Sequence, residues 1–379
     1  MSNPRLLVVS LASVNTLDIW LIFSALTLLL LGLLMVASSS VNLGEEHHAL
    51  PLYYFWRQAG YAALGILLAA GAWHLSIATW QRLSALLLLF GIVLLMLALV
   101  PGVGHVVNGS MRWINLGGIR LQPSELMKLF MLLYLAGYLI RRGEEVRRAL
   151  SGFAKPMLVL LVITGLLLLE PDYGSAVVLF ATVLGMLFIA GVPLRQFFGW
   201  ALLVGAALLG LVLVAPYRIQ RLTTFMDPWA DPFNTGFQLT QALIAIGRGE
   251  WLGVGLGASL QKLTYLPEAH TDFLFAILTE ELGLVGALLV IGLFALLVWR
   301  IFRLARRALL AQQLYAAYLA YGIGFNFALQ AGINLGVNLG LLPTKGLTLP
   351  LMSYGGSSLL VSCLMLGLLL RIDYEVKRS

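Results

Sequence analysis

Glu268, His270 and Asp272 fall within the eight residues Leu266 to Phe273, immediately before a long apolar run. A carboxylate at the mouth of an apolar helix can take a proton from a substrate that itself lies at the membrane face, which points to chemistry on a lipid-linked molecule. Thr271 is a good N-cap, and would place Asp272 in the first helical turn, where the positive end of the helix dipole favours an acid. A purely helix-stabilising acid is the competing reading. Glu280 and Glu281 lie roughly 12 Å further along the same helix. Acids at that depth need a cavity or a partner, and this pair is expected to lock helix packing.

Cations that could meet an anionic headgroup occur in three other stretches. Arg112 and Trp113 open a loop that runs through Arg120 into Pro123, Ser124, Glu125 and Lys128. Pro123 suits a first helical turn, capped by Ser124 or by the residue before Pro123. Arg112, Arg120 and Lys128 could line a path for the headgroup, although an i, i+3 pair with Glu125 also accounts for Lys128. Trp113 reads more readily as an interfacial belt residue than as a sugar platform. Arg218 and Arg221 begin the longest loop, followed by Asp227 and Asp231, each before a proline, where turn formation explains the acids. Lys345 stands among the prolines and glycines of 342–356, with Ser353 beyond it. Irregular backbone of that kind is tolerated at membrane depth only where it lines a cavity, so Lys345 is expected to contact an anion.

The elements that must carry these residues follow from composition. Of the 379 residues 60% are hydrophobic and only 11% are charged, and the mean hydropathy is +0.93. Runs such as Leu86 to Val100 and Leu282 to Trp299 are apolar all round, as lipid-facing helices are. The fold class is therefore all-α, a polytopic integral membrane protein. About ten spans are expected, near 17–38, 55–73, 83–100, 123–140, 156–170, 174–191, 196–215, 272–299, 315–340 and 355–371. The first reads as a signal anchor. Arg141, Arg142, Arg147, Arg148 and Lys155, then Arg300, Arg303, Arg306 and Arg307, then Arg371, Lys377 and Arg378 fall on one face with both termini, which the positive-inside rule makes cytoplasmic. Three polar connections, 101–122, 216–271 and 341–354, lie on the outer face. The longest, 216–271, has an apolar glycine-rich part, Leu252 to Leu263, that suggests a re-entrant or interfacial helix. The whole chain, 1–379, reads as a single transmembrane domain.

Other chemistries find little support. Cys363 is the only cysteine, which excludes an internal disulfide. The histidines lack zinc spacing, and the glycines of 253–257 follow no strand, so neither a zinc site nor a nucleotide fingerprint is present. The pI near 9.6 reflects topogenic charge, and no basic stripe interleaved with aromatics suggests nucleic acid.

Taken together, the blocks Arg112 to Lys128, Tyr217 to Gly283 and Pro343 to Ser358 resemble the SEDS family (shape, elongation, division and sporulation), from about Asp18 to Arg371. Asp227-Pro228-Trp229-Ala230-Asp231-Pro232, Gly236 to Gln241 and Leu266 to Asp272 are similar to its cell-division branch more than to its elongation branch. The resemblance implies ten membrane helices and a septal peptidoglycan glycosyltransferase that polymerises lipid II. It also implies Asp272 as the catalytic acid, with Lys345, Lys128, Arg120 and Trp113 functionally sensitive. The expected partners are lipid II and the growing glycan, a class B penicillin-binding protein transpeptidase, and other division membrane proteins.

On that reading a sugar 4-hydroxyl attacks an anomeric carbon with inversion, and Asp272 takes the proton. Glu268 and His270 form its supporting shell. Arg112, Arg120, Arg218, Arg221 and Lys345 would meet the departing diphosphate, with a divalent cation, magnesium or manganese, left open as a helper. A lipid II flippase and a scaffold for the transpeptidase are the alternatives. A flippase should carry a charged trail through the bilayer centre, and a scaffold would not require Asp272.

Overall fold

The computed structural model describes residues 17–107, 110–117, 119–213, 225–263, 265–344 and 346–378. Eleven α-helices occur among them: α1 (Ile19–His48), α2 (Tyr53–His74), α3 (Ile77–Ala98), α4 (Pro123–Arg148), α5 (Leu150–Leu169), α6 (Tyr173–Ile189), α7 (Leu194–Leu213), α8 (Phe237–Arg248), α9 (Leu274–Leu310), α10 (Leu314–Asn338) and α11 (Gly356–Val376). Ten of them fall on the ten apolar runs, and α8 is additional. By length and composition alone α1, α3, α4, α5 and α9 each suffice to cross a membrane. The chain is an all-α, multi-pass membrane protein.

One continuous apolar core runs from Leu21 to Ile372. Its centre is α4, whose Met127, Leu129, Met131, Leu132 and Leu133 are fully buried, with α10 packed against it and against α9. Polar side chains start several helices. The carboxylates of Asp18 and Asp172 and the hydroxyl of Ser76 accept from Leu21 N, Ser175 N and Thr79 N, capping α1, α6 and α3 as expected of such residues.

The arginine-rich face is tied by ions. Asp18 accepts from Arg300 Nε at 3.0 Å and from Arg307 at 3.4 Å, while Asp373 accepts from Arg307 at 3.1 Å and from the Asp18 amide at 3.0 Å. The start of α1 and the end of α11 thus meet on one face.

Opposite that face the connections are structured. Three strands form an antiparallel sheet in the order β1 (Gly104–Val107), β2 (Ser110–Leu116), β3 (Ile119–Leu121). Its register sets His105 against Trp113 and Asn115 against Arg120, so the sheet delivers Arg112, Trp113 and Arg120 together. The helix of the long loop is α8, not Leu252–Leu263, which is a series of turns. Gly253, Gly255 and Gly257 adopt φ of 80°, 102° and 81°, outside any right-handed helix.

Those turns dock on a break in α9. At Gly283 (φ 68°) the helix is interrupted, and the loop takes up the freed hydrogen bonds. Val254 N and Gly255 N donate to the carbonyls of Glu280 and Glu281, and Leu284 N and Val285 N donate to those of Glu250 and Trp251, at 2.9–3.2 Å. Helix breaks at membrane depth persist where protein re-satisfies the backbone in this way. The side chains reinforce it. Glu280, fully buried, accepts from Arg248 (3.0 Å), from Leu260 N (3.1 Å) and from Ser259 Oγ, and Glu281 accepts from Lys262 (2.7 Å) and Ser38 (2.7 Å). Both acids act as locks between the outer loop and α9.

Candidate active site

The turn before α9 presents Asp272. Glu268 adopts φ 59°, and its carbonyl accepts from Thr271 N (3.2 Å) and Phe273 N (3.3 Å). This turn carries residues 271–273 off the helical path, so α9 begins at Leu274 with Phe273 at the N-cap position. Thr271 is therefore no cap. Its hydroxyl donates to the Glu268 carboxylate at 2.7 Å. Asp272 stands outside the helix, and its backbone rather than its side chain is what anchors it. The Asp272 carbonyl accepts from Asn334 Nδ2 at 2.9 Å and from Asn338 Nδ2 at 3.0 Å.

Those two amides belong to a ladder on one stripe of α10, at i, i+4 and i+8. Gln330 receives Lys128 Nζ at 2.8 Å and donates to the Thr348 carbonyl at 3.2 Å. Asn334 also donates to the Leu347 carbonyl at 2.6 Å, and the Asn338 side-chain oxygen accepts from Ala276 N at 3.1 Å. All three are at most 2% exposed, so each is worth a hydrogen bond that water cannot replace. One helix face thereby sets the relative positions of Lys128, the 347–348 backbone and Asp272. Nothing in the sequence analysis singled these amides out, although polar residues at helical spacing inside an apolar run were a readable signal.

Asp272 lines two chambers. The first, about 400 Å³, is also bounded by Arg57, Arg112, Trp113, Arg120, Glu268 and His270. The second, about 420 Å³, includes Arg112, Asp172, Gln238, Glu268 and Thr344. Arg112 Nη1 stands 4.0 Å from Asp172. That acid is 2% exposed and is held by Ser124 Oγ at 2.8 Å and Gln122 Nε2 at 3.1 Å. Ser124 thus serves Asp172 rather than capping α4. His270 packs with the rings of Tyr54 (4.9 Å between centroids) and Tyr354 (5.4 Å), which also meet each other at 5.3 Å. Arg112 Nε, Trp113 Nε1 and His270 Nδ1 are buried with no hydrogen-bond partner among the described residues. Unpaired buried polar atoms around a cavity are what a polar ligand would satisfy.

The electrostatics favour a proton acceptor near neutrality. Burial, then the charge of Glu268, outweigh Arg112 and push the Asp272 carboxyl up to about 7, although its side chain still reaches the cavity. Burial holds the His270 imidazole below its ordinary range, against the opposing pull of Glu268. Glu170, just past α5 and fully buried, is pushed up to about 8 by burial and by Asp172.

Of the residues predicted from sequence, Arg112, Trp113, Arg120, Glu268, His270 and Asp272 gather in the first chamber. Lys128 does not open to it. At 1% exposure it lies beneath the floor, bonded to Glu125 at 3.0 Å and to Gln330, because only paired is a cation tolerable there. Ser353 is likewise internal. Its Oγ accepts from Leu349 N at 2.9 Å and its carbonyl from Gln58 at 2.9 Å, shaping the last loop. Asp231 accepts from Asn234 and Thr235, a turn-forming acid. Arg218, Arg221 and Lys345 lie outside the described residues. Arg57 and Asp172 join the site without having been singled out. As for a divalent cation, no three His, Cys, Asp or Glu side chains among the described residues come together as a metal site, and Asp172 is already spent on Gln122, Ser124 and the cap of α6. The described donor set does not fit a protein-built metal centre.

The cell cycle protein family that unites FtsW, RodA and SpoVE matches residues 19–378. A probable peptidoglycan glycosyltransferase FtsW of Nitrosococcus halophilus is 56% identical over 360 residues, 95% of this chain and 93% of its own. Its counterpart in Thioalkalivibrio sulfidiphilus is 57% identical over 366 residues, 96% of this chain and 91% of its own. Among solved structures, a chain of a peptidoglycan synthase complex that coordinates polymerization and crosslinking superposes with a TM-score of 0.77 at 34% identity, covering 96% of this chain and 99% of that one. The rod shape determining protein RodA of Thermus thermophilus gives 0.69 at 32% identity, with 94% and 97% covered. The chain belongs to the FtsW, RodA and SpoVE family and is similar to its FtsW members.

Proposed function

We propose that this protein is a peptidoglycan glycosyltransferase that polymerises lipid II in septal wall synthesis, with Asp272 as general base. The observation that carries the reading is the Asp272 carboxyl, brought to about 7 at the junction of two chambers. In the reaction the 4-hydroxyl oxygen of the acceptor sugar forms a bond to the donor's anomeric carbon. The bond from that carbon to the diphosphate oxygen breaks, its electron pair leaves with the diphosphate, and the hydroxyl proton passes to Asp272. General-base assistance of this kind contributes about 10² to 10⁴ in rate. Arg57, Arg112 and Arg120, which line the first chamber, supply charge for the leaving diphosphate.

The wider assignment rests on the same footing. The chain is read as one transmembrane domain with 216–271 as its long outer loop, and its termini as cytoplasmic. A class B transpeptidase partner is supported by the likeness to a synthase complex that couples polymerization to crosslinking. The test is direct: the chain, purified with its transpeptidase partner and given labelled lipid II, is expected to make glycan, and Asp272→Asn to make none. Polymer from both would remove the general-base role. Polymer from neither, with lipid II crossing liposome membranes, would replace the enzyme with a flippase.

A further inference from the structure

The two chambers share Arg112, Glu268, Asp272 and Gly346, and what each adds differs in charge. The first adds Arg57 and Arg120. Its one added carboxylate, Glu125, is neutralised from below by Lys128 at 2.9 Å. The second adds, among the described residues, Asp172 and the uncharged Gln238, Thr344 and Ser110. Asp172 also draws on the shared Arg112, at 4.0 Å.

Inverting glycosyl transfer requires the attacking oxygen and the leaving oxygen to stand on opposite faces of the sugar ring, with the base on the attacking side. Two compartments that share Asp272 can provide that arrangement. A diphosphate is stabilised by arginines and repelled by carboxylates. A sugar hydroxyl about to lose its proton has the opposite preference, because neighbouring carboxylates raise the basicity of the group that accepts it.

We infer, on the basis of the glycosyl-transfer reading above, that the first chamber holds the diphosphate of the donor and the second holds the terminal sugar of the acceptor, with its 4-hydroxyl directed to Asp272. Trp113 Nε1 and Arg112 Nε, without a partner among the described residues, then serve the donor, and Gln238 and Thr344 select the acceptor.

Two probes separate the subsites in the full-length protein with its transpeptidase partner. Lipid II capped with galactose on its 4-hydroxyl acts only as donor. A polyprenyl C-glycoside of the same disaccharide, lacking phosphate, acts only as acceptor. Their single coupling product gives two independent KM values. Arg120→Gln is expected to raise the donor KM roughly tenfold, the loss of one charge-assisted contact, and to leave the acceptor KM within about twofold. Gln238→Ala is expected to do the reverse. Without any mutation, inorganic pyrophosphate should compete with the donor probe and not with the acceptor probe. A reversed pattern, equal shifts in both KM values, or competition by pyrophosphate with the acceptor alone would overturn the chamber assignment while leaving glycosyl transfer intact. Absence of polymer from unmodified lipid II with the wild-type chain would overturn the glycosyl-transfer reading, and the assignment with it.

Discussion

Asn334 holds Asp272 by its backbone: its Nδ2 lies 2.9 Å from the Asp272 carbonyl oxygen and 2.6 Å from that of Leu347. One amide of α10 thus joins the turn that presents the base to the loop that walls the cavity. Among the described residues no hydrogen bond ties down the carboxylate, which leaves it available for a proton.

Asn334→Ala leaves the Leu347 carbonyl buried without this donor, a loss of about 1–3 kcal/mol. Because the Asp272 turn loosens with it, we expect kcat in glycan polymerisation to fall roughly 10- to 100-fold with little change in KM. A KM effect alone would mean that α10 shapes binding instead.

The pH profile follows from the raised Asp272 pKa. The base works ionised, so the rate should climb with pH up to about 7 and level off above it. Glu268 is one of the charges that raises this pKa, and Glu268→Gln should therefore move the limb to lower pH. A limb that stays in place would exclude Glu268 as a neighbour that tunes the base. The linkage has the opposite sign for stability. A carboxyl raised on folding favours the fold while protonated, and that contribution is lost as pH rises through about 7. Asp272→Asn should accordingly melt no lower than wild type at pH 8.

Gly346 faces the carboxylate closely: a Cβ at that position would sit 3.1 Å from Asp272 Oδ2. Gly346→Ala is expected to rotate the carboxylate or fill the space at the joint of the chambers, and to cut turnover at least about tenfold at unchanged thermal stability, a 1.4 kcal/mol effect on the barrier. Full activity in this variant would mean that the reacting atoms do not pass between residues 346 and 272.

Glu280→Ala removes the acceptor of Arg248, Ser259 and Leu260 N together. The Arg248 side chain is 38% exposed and can turn to water, so the loss is that of the buried hydrogen bonds left open, about 1–3 kcal/mol. The expected result is a lower melting temperature in detergent and faster amide exchange over 250–263. Unchanged exchange there would show that the backbone pairing at Gly283 holds the loop without the acid.

The spans were legible because each must hide its backbone from lipid, and twenty or so apolar residues leave little else to be. The cationic and acidic members of the site were legible for the same reason, since charge in such a chain is rare enough to be noticed. The sheet at 104–121 was not, because its strands are short and its alternation weak, and Arg112 and Arg120 were read as loop residues. Lys128 offers two readings in sequence, a place on a headgroup path or an i, i+3 pair with Glu125; the structure has the pair, and only the fold shows that Gln330, far along the chain, closes over it. Thr271 looked like a cap until the Glu268 turn claimed the amides around it. Leu252–Leu263 looked helical by apolarity, but glycines at positive φ decide its path.

The ion cluster on the arginine-rich face bears on how the chain is made. The Asp18 amide bonds Asp373, 355 residues later, so the first helix of the array waits for the last to leave the ribosome before its final partner exists. At roughly 5–20 residues per second that interval is on the order of a minute or less. Through most of it Asp18 can rely on Arg300 and Arg307 only once α9 has emerged. Biogenesis of this protein is therefore exposed to any delay between the two ends, and the nascent first helix is the species most dependent on insertion machinery or neighbouring lipid headgroups to shelter its acid.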